Sequence, residues 1–209
     1  MEAPVAFLFP GQGSQIIGMG AALASESKSA KLVFEQVNEA LSEDLFSIMR
    51  EGPKDILQLT RNAQPAIFAS SLAVVASIEE RFGDIRKIAS FAAGHSLGEY
   101  SALAAAKSID ITTAAKLLRI RGDAMQSATP VGVGAMAAIL GAEIEQMESL
   151  IASFNTTQSD EIVQIANDNS PGQIVVSGHK NAVEILCEMA KQKGIKKSLI
   201  LPVSAPFHS

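Results

Sequence analysis

Residues Ile88-Ala89-Ser90-Phe91-Ala92-Ala93-Gly94-His95-Ser96-Leu97-Gly98-Glu99-Tyr100, followed by Ser101-Ala102-Leu103-Ala104-Ala105-Ala106, pass from strand chemistry to helix chemistry at one serine. The apolar run 88–93 has strand length, and the alanine-rich run 101–106 favours a helix. A serine at such a turn projects its hydroxyl clear of the sheet on strained backbone angles, and Gly94 and Gly98 remove the side chains that would obstruct it. The G-x-S-x-G spacing alone is a weak signal. With a strand before it and a helix after it, it marks Ser96 as a candidate nucleophile.

Outward from this turn, the strand Val5–Phe9 runs into the loop Pro10-Gly11-Gln12-Gly13-Ser14-Gln15. Helical segments follow between Ala21 and Met49, and Gly52-Pro53 breaks them. A helix is expected from about Pro65, a residue suited to a helix start, to Phe82, with Gly83 as terminator. After the serine helix, Asp110-Ile111-Thr112-Thr113 offers caps for a helix reaching about Ser127. The order strand, helices, strand, helices implies an α/β fold with parallel pairing. Val131-Gly132-Val133-Gly134 then reads as a hinge, after which the rhythm changes. Strand 135–140, helix 143–154, strand 161–166, turn 167–172, strand 173–177, helix 181–193 and strand 197–203 make a β-α-β-β-α-β series, the order of a ferredoxin-like unit. The expected organisation is therefore a main domain, 1–131 plus 200–209, with an inserted small domain, 132–199, and a return of the chain to the main sheet near Pro202.

The 209 residues are 47% hydrophobic, enough to bury a sizeable core. With 17 basic and 22 acidic residues, the net charge of -5 argues against nucleic acid and anionic membranes as partners. A single cysteine, Cys187, excludes an internal disulfide framework and fits a reducing, cytoplasmic compartment. The N-terminal apolar run lacks a basic leader and reads as a buried strand rather than an export signal. The stretch Pro65–Ile78 is shorter than the roughly 20 apolar residues that span a bilayer, and it reads as a buried helix.

Acyl chemistry on a serine needs a base and donors for the oxyanion. Of the three histidines, His95 adjoins Ser96 and points to the opposite face, so it shapes the pocket. His179 reads as a turn or surface residue. His208, in the proline-bounded segment Pro202-Val203-Ser204-Ala205-Pro206-Phe207-His208-Ser209, is the candidate base. No aspartate is spaced to orient it, which leaves a backbone carbonyl for that role. The Leu97 amide opens a helix and is one oxyanion donor; Gln12, in the glycine loop, is the candidate second. On the helix after Asp110, the stripe Ala114, Leu117, Leu118, Arg121 and Met125 turns Arg121 inward, where it must meet a carboxylate of the protein or of a ligand. Arg119, beside Lys116 and Asp123, reads as solvated. Lys180, Lys191, Lys193, Lys196 and Lys197 make the small domain basic, as a solvated face or as a landing surface for an acidic partner. Cys187 lies on an apolar stripe and reads as packed.

Phe9-Pro10-Gly11-Gln12-Gly13-Ser14-Gln15, Gly94 to Tyr100, Ile120-Arg121-Gly122, Asn169-Ser170-Pro171-Gly172-Gln173 and Pro206-Phe207-His208-Ser209 together resemble the malonyl-CoA:acyl carrier protein transacylase family, with its motifs in order along the whole chain. The resemblance implies an α/β-hydrolase-like core with a ferredoxin-like insertion. It implies Ser96 as nucleophile, His208 as base, Gln12 and Leu97 as oxyanion amides, Arg121 as the binder of the malonate carboxylate, and His95 and Gln64 as pocket residues. Phe207 resembles the malonyl-selective form of its loop. The partners implied are a coenzyme A thioester and acyl carrier protein, with no metal or redox cofactor; the oligomeric state is left open. Members of the family continue past the histidine, so the resemblance also implies a large domain shortened at its C-terminus. A serine esterase or thioesterase, or a carrier-docking fragment, are the alternatives.

Overall fold

The computed structural model describes residues 4–130, 132–157, 160–201, 203 and 205–209, with the side chains of 156 and 157 excepted. The chain divides into two compact units, Met1–Ala124 and Met125–Ser209. Among the described residues, no helix is long and apolar enough to cross a membrane.

In the first unit, strand β1 (Ala6–Phe9) is followed by helices α1 (Ala21–Glu26), α2 (Lys28–Leu41), α3 (Leu45–Glu51), α4 (Lys54–Gln58) and α5 (Thr60–Phe82). Strand β2 (Phe91–Gly94), α6 (Gly98–Ala105) and α7 (Ile111–Ser127) complete the series. β1 and β2 pair in parallel, with Phe9 opposite Gly94, so the loops that follow the two strands leave from the same end of the pair. The core surrounds α5, whose residues 62–69 are all buried, the polar Asn62 and Gln64 among them. Ile67 and Phe68 of α5 belong to one core cluster with Phe34, Leu45 and Met49. Phe34 stacks on Phe46 at a centroid separation of 4.2 Å.

Two expectations are corrected in this unit. α5 begins at Thr60, so Pro65 lies inside the helix rather than at its start. The early turn holds because the Asn62 and Ala63 amides both donate to the Leu59 carbonyl at 2.8 Å. The buried face of α7 is Ala114, Ala115, Leu118, Arg119 and Gly122, whereas Leu117 is 40% exposed and Arg121 is half-buried. Arg119 is therefore the deeply placed arginine. Its Nη2 pairs with Glu43 Oε2 at 2.7 Å and its Nη1 donates to Asn62 Oδ1 at 2.6 Å. Desolvation lowers its pKa and Glu43 opposes that shift. The α7 cap is as expected, with the Thr113 amide donating to Asp110 Oδ1 at 2.8 Å.

The second unit contains β3 (Gly134–Leu140), α8 (Ile144–Thr157), β4 (Val163–Ser170), β5 (Gln173–His179), α9 (Lys180–Gln192) and β6 (Lys197–Ile200). The four strands form an antiparallel sheet in the order β4-β5-β3-β6. Ala137, Ile139, Ile174 and Val176 pack with Met147 and Phe154 of α8 and Val183 and Leu186 of α9. β4 runs four residues further than the sequence indicates, because bulges near Asn167 and Asp168 keep it paired up to Ser170 and leave only Pro171-Gly172 as the turn. His179 closes β5 instead of lying in a turn, and its Nδ1 accepts from the Ile162 amide at 3.0 Å. β6 ends at Ile200; Pro202 and Ser204, like the hinge residue Val131, lie outside the described residues.

Three outcomes test these contacts. A Cβ at Gly98 would stand 2.4 Å from the Phe9 carbonyl oxygen, so Gly98→Ala should cost about 3 kcal/mol or more in thermal unfolding. Gly83→Ala, with open space and φ 82°, should cost about 1 kcal/mol. Thr113 holds the Asp110 carboxyl below its ordinary value, so this stabilisation is complete above the ordinary carboxylate range and is lost as pH falls through the lowered folded value. Asp110→Asn should flatten the acid limb of a Tm-against-pH profile.

Candidate active site

The turn after β2 is built from backbone packed against backbone. A Cβ on Gly94 would meet the carbonyl carbon of Gly98 at 1.9 Å, and one on Gly98 would meet Phe9 and Pro10 carbonyl oxygens at 2.4 and 2.9 Å. No side chain fits at either place. Between them Ser96 has φ 53°, a left-handed conformation costly for a residue with a Cβ, which turns its hydroxyl out of the strand direction. The Gly98, Glu99 and Tyr100 amides donate to the His95, Ser96 and Leu97 carbonyls, which leaves the Leu97 amide outside the helical ladder at the positive end of α6.

The loop after β1 lies against this turn. The His95 amide donates to the Phe9 carbonyl at 3.0 Å, and the imidazole packs on Gly11, where a Cβ would come within 2.5 Å of Nδ1. His95 thus supports the loop that carries Gln12. The loop is braced internally by Ser14 Oγ donating to the Gly11 carbonyl and by the Gly13 amide donating to Gln15 Oε1.

Arg121 reaches Ser96 from α7. Its Nη2 donates to Ser96 Oγ at 3.0 Å, and its Nη1 donates to Gln64 Oε1 at 2.5 Å. Gly122 makes this approach feasible, because a Cβ there would stand 2.6 Å from Arg61 Cα; α7 therefore rests directly on the first turn of α5, close to Gln64. Burial depresses the Arg121 pKa. Among the described residues, no carboxylate lies within ion-pair distance of its guanidinium, in contrast to Arg119 and Arg61, which share Glu43. From Gln64 the bonding continues, with Nε2 donating to Thr60 Oγ1 at 2.9 Å and the Thr60 hydroxyl donating to Gln12 Oε1 at 3.0 Å.

Five of the expected residues, Ser96, Leu97, Arg121, Gln64 and Gln12, are thus joined within the first unit, with His95 beneath them. Thr60 was not singled out from the sequence, where only its position one turn before Gln64 could have marked it. Phe207 and His208 belong to the second unit. There His208 is exposed with φ 60°, the Phe207 amide donates to the Ala205 carbonyl at 3.0 Å, and Ser209 Oγ donates to the Pro206 carbonyl at 2.8 Å. The lysines expected to form a basic face are exposed and interleaved with acids: Lys191, Lys196 and Lys197 share a shallow cavity of about 470 Å³ with Glu184 and Glu188. Burial raises the Cys187 thiol pKa there, in keeping with an unreactive packed residue. Among the described residues, no cluster of three or more His, Cys, Asp or Glu side chains is placed to hold a metal ion.

A half-buried cation bonded to a serine on a strained strand-to-helix turn suits chemistry on an acyl group that itself carries negative charge. The acyl transferase domain profile matches residues 6–209. The chain is 46% identical over 205 residues to the malonyl CoA-acyl carrier protein transacylase of Bacillus subtilis, covering 98% of this chain and 63% of that protein. It is 41% identical over 203 residues to the protein of the same name from Escherichia coli K12, covering 97% of this chain and 64% of that one. Among solved structures, the acyl-carrier-protein-S-malonyltransferase of Bartonella henselae superposes with a TM-score of 0.94 at 52% identity, covering 99% of this chain and 65% of that one. A malonyl-transacylase in complex with a type II PKS acyl-carrier protein superposes with a TM-score of 0.91 at 40% identity, covering 98% of this chain and 64% of that one. The chain therefore spans a little under two thirds of the length of these relatives, in a mixed α/β fold like theirs. A profile match across nearly all of the sequence, agreeing with the serine turn and its arginine, places this chain in the acyl transferase domain family.

Proposed function

We propose that this chain carries out malonyl transfer from coenzyme A to the phosphopantetheine thiol of acyl carrier protein, through a malonyl ester on Ser96, in the supply of fatty acid synthesis in the cytoplasm. The observation that carries the reading is the Arg121 guanidinium, hydrogen-bonded to Ser96 Oγ and, among the described residues, with no carboxylate within ion-pair distance. An acyl group with its own carboxylate satisfies that cation, and acetyl leaves it without a counter-ion.

In the first half-reaction His208 takes the Ser96 hydroxyl proton, Oγ attacks the thioester carbonyl, and the C–S bond breaks as the proton passes to the departing thiolate of coenzyme A. The Leu97 and Gln12 amides hold the oxyanion, the former with the dipole of α6 behind it. In the second half-reaction the carrier thiol gives its proton to His208 and attacks the ester carbonyl, and Ser96 leaves with the proton. Arg121 donates to a lone pair of Ser96 Oγ, so its contact does not engage the hydroxyl proton that the base must remove. The proposed steps change no oxidation state and call for no metal or redox cofactor. Phe207, beside the base, favours malonyl over branched acyl groups by its bulk.

The same reading treats residues 1–131 and 200–209 as an α/β-hydrolase-like catalytic domain and 132–199 as a ferredoxin-like insertion. The parallel β1–β2 pair ending in the serine turn supports the first assignment. The β4-β5-β3-β6 order with two helices supports the second.

Intact-mass measurement after addition of malonyl-CoA should show one malonyl group on the wild-type chain and none on Ser96→Ala. Release of free malonate faster than transfer to a carrier thiol would instead identify a thioesterase. Arg121→Ala should lower kcat/KM for malonyl-CoA by about 100-fold while changing acetyl transfer far less, since a charge-assisted pair is lost only with the acid substrate. Equal losses would remove the carboxylate role.

A further inference from the structure

We infer that Thr60 is a positioning residue that couples recognition of the acyl carboxylate to the oxyanion loop, a step that rests on the malonyl-transfer reading. The Thr60 side chain does not act as a helix cap: α5 is preceded by Leu59, whose carbonyl accepts from the Asn62 and Ala63 amides, and no side-chain bond caps the helix. The Thr60 hydroxyl instead joins two residues far apart in sequence, accepting from Gln64 Nε2 at 2.9 Å and donating to Gln12 Oε1 at 3.0 Å. Thr60 is 3% exposed and Gln64 is fully buried, so the bond between them is shielded from water, while the bond to Gln12 is half-buried.

The direction of the chain of bonds is fixed at one end. A guanidinium only donates, so the Gln64 oxygen must face Arg121; its NH2 group then faces Thr60, and the threonine proton is left for Gln12. A rotated Gln64 amide would set donor against donor at Arg121. Thr60 carries the hydroxyl between the two glutamine amides, able to accept from one and donate to the other in the same geometry. Its backbone is held as well, since Gly122 of α7 lies against the Thr60 carbonyl and Arg61 Cα. A carboxylate that draws the guanidinium toward itself therefore acts on Gln64, and through Thr60 on the loop whose Gln12 amide faces the developing oxyanion. An acetyl group has no means of exerting that pull. Thr60 thus contributes to the preference for an acid substrate without touching it.

Thr60→Val keeps the shape and removes both bonds, whereas Thr60→Ser keeps the hydroxyl. Thr60→Val should lower kcat for malonyl-CoA about tenfold with KM within twofold, and reduce the malonyl-to-acetyl preference by a similar factor; Thr60→Ser should stay within twofold of wild type. Wild-type kcat in Thr60→Val, or equal loss for both acyl groups, overturns the coupling. A second readout needs no turnover. In amide NMR of the full chain, Arg121→Lys should shift the Gln12 backbone resonance in the wild-type background and not in Thr60→Val. A shift of equal size in both backgrounds, or in neither, overturns the relay even if the wild-type chain forms no malonyl ester, a result that would by itself overturn only the transfer reading.

Discussion

The site depends on a place where two backbones meet with no side chain between them. Gly98 rests on the carbonyl oxygens of Phe9 and Pro10, and Gly94 rests on Gly98. That contact brings the end of β1 and the turn after β2 together, so the Gln12 loop and the Leu97 amide belong to one construction. It also leaves Ser96 little choice of backbone: the chain must reverse between two glycines that are already pinned, and the serine takes up the left-handed conformation that results. The strain at Ser96 is a packing consequence, borne by the core around α5.

A second close approach works in the same way from the opposite side. Gly122 lets α7 settle on the first turn of α5, and the ion pairs and hydrogen bonds of that junction divide into two sets. Arg119 bonds to Glu43 and Asn62, and Arg61 shares Glu43, so these residues tie the helices together. Among the described residues Arg121, two residues along α7, has no carboxylate within ion-pair distance and meets neutral oxygens of Gln64 and Ser96. The separation has a chemical purpose under the proposed reaction. A cation already neutralised by a protein carboxylate would have little to gain from a substrate carboxylate, whereas one held by neutral acceptors remains oriented and attracts an anion.

Much of this was legible in the sequence, and the parts that were not share a cause. Gly-x-Ser-x-Gly between an apolar run and an alanine-rich run is a local pattern, readable within a few neighbouring residues. Gly83 as terminator of α5 and Asp110 as cap of α7 were readable for the same reason. The assignment of α7's faces was not. Arg119 and Arg121 lie about 200° apart on a helix at 100° per residue, and a four-residue apolar stripe favoured the side containing Leu117, which is 40% exposed. The buried side is set instead by Ala115 and Gly122, small residues whose value is the room they leave. Likewise Pro65 suggested a helix start, yet side-chain and backbone bonds at Thr60–Gln64 carry the helix one turn and more before it.

The sequence by itself determined the kind of site this chain has, because a serine between two glycines, a capped helix carrying arginines and a β-α-β-β-α-β series are each written in neighbouring residues and their periodicity. Only the tertiary structure decided which arginine faces the serine, which one is absorbed into the core, and that a threonine joins the arginine's glutamine to the Gln12 loop. Those choices rest on contacts between residues 25 to 76 positions apart. Such contacts exist only where two backbones can come close enough, and the closeness is controlled by the absence of a Cβ, a feature whose meaning appears when both partners are in place.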